Sequence, residues 1–265
     1  MSGDFDLLLL KCALTVLVLY LFVPPTLIYF LQRFRANPTL IPFDLEQQTP
    51  PGEAGRYFME VDQQFAALGF DRRAALTLPD AVPNVKALLV FYANRRSKDV
   101  ALTAIMYGLN PVDQTVAMKS SYVEILARFQ DGELEALHTN NVRMLGSFPT
   151  TPGSRTYRFP HLEDLSRLFE LHQKLLERDR PVGRKYIRTD EEFDGDCVAY
   201  MHTVFRETYD RQIGTGYLYF QPSQQVYRPT IKGALFMTWR ELFPIKQILW
   251  EGAKAQAKRL EQELS

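Results

Sequence analysis

The sequence predicts an α+β protein with one N-terminal transmembrane helix, followed by an antiparallel β-sheet packed with several helices. Three observations carry this. Leu7 to Leu31 is a 25-residue apolar run. β-forming residues concentrate between positions 72 and 145, and apolar residues at helical spacing dominate from 161 to 265. The domain plan that follows is an anchor over 1–35, a Pro-rich linker over 36–55 and a globular domain over 56–265.

At 1.5 Å per residue the apolar run covers the ~30 Å hydrocarbon core with some tilt. Lys11 is its only charge, one turn from the start, where its stem carries the ammonium to the interface. Pro24 and Pro25 are expected to kink the helix or end it early. A cleaved secretory signal fits less well, because the segment opens on Asp4 and Asp6 and closes on Tyr29-Phe30-Leu31. Arg33 and Arg35 follow the helix and no basic residue precedes it, which predicts a single-pass protein with its domain in the cytoplasm.

Asn37 to Gly55 holds Pro38, Pro42, Pro50, Pro51, Gly52 and Gly55, the composition of an extended linker. A helix is expected over 56–69, with Phe58, Val61, Phe65 and Leu68 on one face and Gly69 just past its end. Val85–Ala93 and Val100–Tyr107 read as strands around the polar loop 94–99. Tyr122–Phe129 and Glu133–Thr139 flank Asp131-Gly132, a favoured two-residue hairpin loop. That loop sets Phe129 opposite Leu134, Ala127 opposite Ala136 and Arg128 opposite Glu135. Ser147–Pro160 reads as a loop.

In the helical half, Leu162, Leu165, Phe169, His172 and Leu176 form a stripe. A second helix is expected over Asp190–Arg211, with Thr189 and Glu192 as a capping box. A short strand pair, Gly216–Gln221 and Gln225–Tyr227, precedes two helices, Ile231–Leu242 and Ile245–Leu264, broken at Pro244. The last helix repeats Leu249, Ala253, Ala257, Leu260 and Leu264, a stripe able to pair with another helix.

Composition limits the function classes. The 31 Lys and Arg balance 31 Asp and Glu, so the basic excess that drives non-specific nucleic-acid binding is missing. Two cysteines, Cys12 and Cys197, are too few and too far apart for a disulfide framework or a metal centre. Asp190-x-Glu192-x-Asp194-Gly195 imitates the start of a calcium loop, but its twelfth position is Met201 where a bidentate carboxylate is needed. No metal or cofactor is expected. His138, His161, His172 and His202 show no ligand spacing, and no nucleophile-elbow, phosphate-loop or metalloprotease motif occurs.

These readings lean away from an enzyme. They favour a binding or scaffold protein at the membrane, with lipid or a membrane protein as partner. Arg178 to Arg188 is the densest basic stretch, and Arg180, Arg184, Lys185 and Arg188 would meet anionic headgroups. Ile231–Trp250 holds both tryptophans, Trp239 and Trp250, placed for a membrane interface or a buried core. The alternative is a tethered enzyme or apolar-ligand carrier, with His138 and His172 in a pocket between sheet and helices. Tyr217–Gln221, Gln225–Tyr227 and Thr230-Ile231-Lys232-Gly233-Ala234 resemble the wing and following turn of winged-helix DNA-binding domains. That resemblance implies a tethered regulator reading DNA with the helix over 190–211, whose acidic start suits phosphate poorly.

Overall fold

The computed structural model describes residues 2–50, 52–82, 85–109, 116–144, 146 and 148–265. Pro51 of the expected linker, Ser147 of the expected loop and positions 83, 84, 110–115 and 145 of the strand-rich region lie outside them. The fold is mixed α/β, with a large, mostly antiparallel sheet. In chain order its elements are α1 (Ser2–Leu31), β1 (Phe34–Arg35), β2 (Ile41–Pro42), α2 (Gly52–Ala67), β3 (Asp71–Val82), β4 (Val85–Asn94), β5 (Asp99–Leu109), β6 (Val116–Gln130), β7 (Ala136–Asn140), β8 (Ser154–Arg158), α3 (Leu165–Asp179), β9 (Arg184–Tyr186), α4 (Arg188–Glu191), α5 (Cys197–Gly214), β10 (Leu218–Gln221), β11 (Val226–Pro229), α6 (Ile231–Trp239) and α7 (Ile245–Leu264).

The chain forms two compact units, each assembled from separate segments. One contains Met1–Ala36, Leu145–Pro149 and Phe205–Trp250, and the other contains Asn37–Met144, Thr150–Val204 and Glu251–Ser265. The expected linker is therefore not open chain. β1 pairs with β11 in the first unit, β2 pairs with β3 in the second, and α2 already begins at Gly52.

The second unit is built on the sheet β2-β3-β4-β5-β6-β7-β8, with β9 added beside β6. Its pairings are antiparallel except β7 with β8. Alternation sends Leu88, Val90, Tyr92, Ile105, Val123, Ile125 and Ala127 to one face, where they meet Phe58, Val61 and Phe65 of α2 and Leu165, Leu168, Leu171 and Leu175 of α3. α2 ends as its sequence implies: Gly69 has φ +80°, and the Phe70 N–H turns back to the Phe65 carbonyl at 2.9 Å. α3 starts after Asp164, whose carboxylate accepts the N–H groups of Ser166 and Arg167. The stripe of α7 is used within this unit, since Ala257, Leu260 and Leu264 join the same core.

Three expectations need correction. The β6–β7 hairpin is offset by one residue: Arg128 pairs with Ala136 and Ala127 with Leu137. Gly132 does not sit in a two-residue turn. Its bare Cα is pressed against the loop before β9, where a Cβ would fall 2.1 Å from the Val182 carbonyl oxygen. A one-residue offset turns a strand over, so Leu137 and Thr139 face the helices, and Ala136 and His138 face away. The expected helix over 190–211 is broken. Asp194 has φ 49°, the Gly195 N–H bonds back to the Thr189 carbonyl, and α5 restarts under a cap from Asp196. Within the expected loop 147–160, Ser154–Arg158 forms β8 on the edge of β7.

The first unit has a small sheet, β1-β11-β10, and an aromatic core. Phe34, Phe148, Tyr209, Phe220 and Tyr227 pack as tilted rings at separations of 4.9 to 5.4 Å along the chain of contacts. The Tyr227 hydroxyl donates to Asp210 at 2.9 Å. α1 stays helical through Pro24 and Pro25 to Leu31. One helix, Asp6–Leu31, is long and apolar enough to cross a membrane among the described residues. Arg228 donates to the Phe30 carbonyl at 2.8 Å, so a cation closes the negative end of the helix.

Candidate functional site

The most connected buried polar group lies in the second unit, on the α3 side of the sheet. Asp99 opens β5 after the polar loop, Thr139 projects from β7, His172 from α3 and Lys185 from β9. Asp99, Thr139 and His172 are fully buried. The His172 Nε2–H donates to Asp99 Oδ1 at 3.2 Å, and the Thr139 hydroxyl donates to His172 Nδ1 at 2.9 Å. The Gln173 amide donates to Asp99 Oδ2 at 3.0 Å, and the Lys185 ammonium also closes on Asp99.

Electrostatics fix the proton positions. Burial alone would raise the Asp99 carboxyl. The His172 hydrogen bond and the Lys185 charge outweigh it and hold the carboxyl down to about 2. Burial pushes the His172 ring down from its ordinary value, against the pull of Asp99. An ionised carboxylate only accepts, so Nε2 carries the proton and Nδ1 is left as acceptor for Thr139. The roles are those of a hydroxyl nucleophile, base and orienting acid. The chemistry is nevertheless closed: a hydroxyl sealed from solvent and already donating to its base meets no substrate. The group ties β5, β7, β9 and α3 together.

His138 lies on the opposite face, as the β7 offset requires. Its Nδ1 is 3.0 Å from Glu124 Oε1, and the Asn140 amide donates to Glu124 Oε2 at 3.0 Å. Burial pushes the Glu124 carboxyl up, but His138, Asn140 and Arg128 more than offset it and leave it below the usual range. The two histidines proposed to share a pocket thus belong to different groups.

A depression of the second unit, about 830 Å³, is lined by Tyr57, Val61, Met118, Ser121, Arg143 and Leu165, among others. Neither histidine lines it. Several polar groups around it are committed: Gln64 accepts the Leu165 N–H, Asn141 bridges the Val123 N–H and the Leu162 carbonyl, and Arg143 pairs with Glu163. Among the described residues no cluster of three or more His, Cys, Asp and Glu is placed to hold a metal.

The basic stretch is largely neutralised by its own neighbours. Arg184 forms a fork on Glu191 and also reaches Gln130. Lys185 is paired with Asp99, and Arg188 with Glu192 at 2.8 Å while stacking over Phe193. Arg180, in a left-handed conformation at the end of α3, has no ion pair among the described residues. Sequence density of positive charge therefore overstates the free charge, because Glu191 and Glu192 fold back on Arg184 and Arg188 and Asp99 reaches Lys185 from elsewhere in the fold.

In the first unit, Trp239 ends α6 and its indole N–H donates to the Leu21 carbonyl of α1 at 3.3 Å. Trp250 is half-buried on α7. β10 and β11, the strands resembling a wing, pair with each other, and β11 also pairs with β1 immediately after the apolar helix. Sequence reasoning missed Asp99, Thr139, Tyr20 and Arg228. The first sits in a loop of charged residues and the others carry no motif. The one available signal was Asp99 directly before a strong strand.

Comparison with known protein families, curated sequences and solved structures finds no match for this chain.

Proposed function

We propose that the protein is a membrane-anchored binding or scaffold protein, with α1 as its single-pass anchor and the chain that follows on the cytoplasmic side. The observation that carries this reading is the apolar surface of Asp6–Leu31: Leu10, Val16 and Leu31 are each exposed by 65% or more. Such a surface is tolerated in lipid and costly in water. The cytoplasmic orientation is supported by Arg33 and Arg35, joined by Arg228 folded against the same end of the helix. Partner contact through lipid headgroups rests mainly on Arg180, since the other basic residues of that stretch have internal partners.

Alkaline carbonate washing of membranes that contain the full chain is expected to leave it in the pellet. Release into the supernatant would refute the anchor. For orientation, Thr49→Cys in a Cys12→Ser background should resist an impermeant maleimide on intact cells and react after lysis. Reaction on intact cells would reverse the topology.

A second reading, a carrier of an apolar ligand, is favoured by the 830 Å³ depression, where Val61, Met118 and Leu165 supply apolar contact and Tyr57 and Ser121 hydrogen-bonding groups. Displacement of a fluorescent fatty acid, weakened by Val61→Trp, is the outcome expected of it.

A further inference from the structure

Two prolines in α1 release carbonyls that the helix cannot satisfy. Pro24 and Pro25 have no N–H, so the carbonyls of Tyr20 and Leu21, four residues earlier, lose their helical donors. The Leu21 carbonyl takes the indole N–H of Trp239 instead. The Tyr20 side chain serves the turn that follows α6. Its hydroxyl accepts the Phe243 N–H at 3.0 Å and donates to the Phe243 carbonyl at 3.1 Å. α6 thus runs back along α1, from Arg228 beside Phe30 to Trp239 beside Leu21. Gly233 permits the seating of its first turn, since a Cβ there would lie 2.0 Å from the Tyr217 carbonyl oxygen.

The depth of this contact follows from length alone. Asp6–Leu31 has 26 residues, about 39 Å of helix against a hydrocarbon core of ~30 Å. The slack is about 9 Å. Leu21 lies ten residues from Leu31, about 15 Å along the axis. Even if all the slack falls at the Leu31 end, Leu21 remains about 6 Å inside the hydrocarbon. Whatever bonds to Leu21 and Tyr20 is carried to the same level.

We propose that the α6–α7 turn, Trp239 to Leu249, is a re-entrant membrane element, and that its occupant is the acyl-chain layer of the bilayer. The proposal rests on the reading of α1 as a spanning anchor. The turn is dressed for that layer: Phe243 is 65% exposed, Ile248 66%, and Trp239, Ile245 and Leu249 38% each. These residues are continuous with the uncovered apolar surface of α1. Backbone groups at membrane depth need internal partners, and the Leu21 carbonyl and the Phe243 amide have them. One charge pair at the turn is compensated in the way intramembrane charges require, Glu241 with Lys246 at 2.7 Å. Arg240 lies over the Phe236 ring at 4.9 Å, and its buried Nε has no hydrogen-bond partner. At the opposite end of the hairpin, Arg33, Arg228 and Lys232 suit the headgroup level.

The test uses the full chain with Trp250→Phe, which leaves Trp239 as the sole tryptophan. The variant is reconstituted into phosphatidylcholine vesicles carrying bromines at defined acyl positions. The expected result is strong quenching of Trp239 by acyl-chain bromines and little by aqueous iodide. Co-flotation with the vesicles together with iodide quenching and no bromine quenching would overturn the re-entrant turn and leave the anchor standing. Failure to co-float would overturn the anchor and the turn together. If the tryptophan variant does not fold, Ile248→Cys in the Cys12→Ser background reads the same depth. A thiol held in hydrocarbon stays unreacted with maleimide in intact vesicles, and ready labelling there would refute the proposal.

Discussion

His138 projects from β7 and His172 from α3, on opposite faces of one sheet, each hydrogen-bonded to a carboxylate, yet the two groups differ in kind. His172, Asp99 and Thr139 are sealed from solvent, and two further donors, Gln173 and Lys185, close on Asp99. His138 and Glu124 keep about a fifth to a quarter of their side-chain surface in solvent. The lesson is that a histidine–carboxylate pair takes its role from its burial. A sealed pair must be completely satisfied, and removing any member strands the rest. A partly exposed pair can exchange a lost partner for water.

The largest effect should therefore fall on Asp99. Asp99→Ala leaves His172 buried without its acceptor and Lys185 without its carboxylate, and is expected to cost about 3–5 kcal/mol in chemical unfolding of the detergent-solubilised full chain. Thr139→Val should cost about 1–3 kcal/mol, since it leaves the Nδ1 acceptor unsatisfied. Across the sheet, Glu124→Gln should cost about 1 kcal/mol or less on the same measurement, because solvent reaches the site and the amide keeps one acceptor. If the Glu124 variant lost as much as the Asp99 variant, the distinction by burial would fail.

Acid sharpens the comparison. The folded His172 ring titrates below its ordinary 6.5, so below that pH the unfolded chain takes up a proton that the fold refuses. Stability is then lost as pH falls beneath about 6.5. Asp99 titrates at about 2 when folded and near 3.8 when unfolded, so its contribution is complete above about 4 and disappears between about 4 and 2. Unfolding midpoints should decline from pH 7.5 to pH 5. His172→Gln, though less stable throughout, should show a flatter decline. An unchanged slope in that variant would assign the titration to another group. The smallest effect is expected at the surface: Arg184→Ala should leave the melting curve where it is, since its pairing with Glu191 is exposed.

Much of the fold was legible because its signals are local. A hydrophobic run, a glycine past Phe65 and Leu68, and a proline between two helices each act on neighbouring residues, and α1, α2, the α6–α7 break and the strands β4 and β5 stand where the local signals put them. The β6–β7 register was not legible. Asp131-Gly132 carries a strong turn signal, but what the glycine answers to is the carbonyl of Val182, fifty residues away. The basic stretch misled at Lys185 for the same reason, since Asp99 neutralises it from a distant strand, whereas Glu191 and Glu192, which neutralise Arg184 and Arg188, stand close by in the sequence.

The linear chain is enough to establish an N-terminal run apolar enough for a membrane, a β-rich middle, a helical end and too little basic excess to favour nucleic acid. Those properties depend on composition and on periods of two and 3.6 residues, which a linear reading contains. Which face His138 takes, which cations are paired, and that Trp239 satisfies a carbonyl released by Pro25 emerge only in three dimensions. Each of these is a pairing between distant positions, and no local propensity encodes a partner that the chain meets only after it has folded.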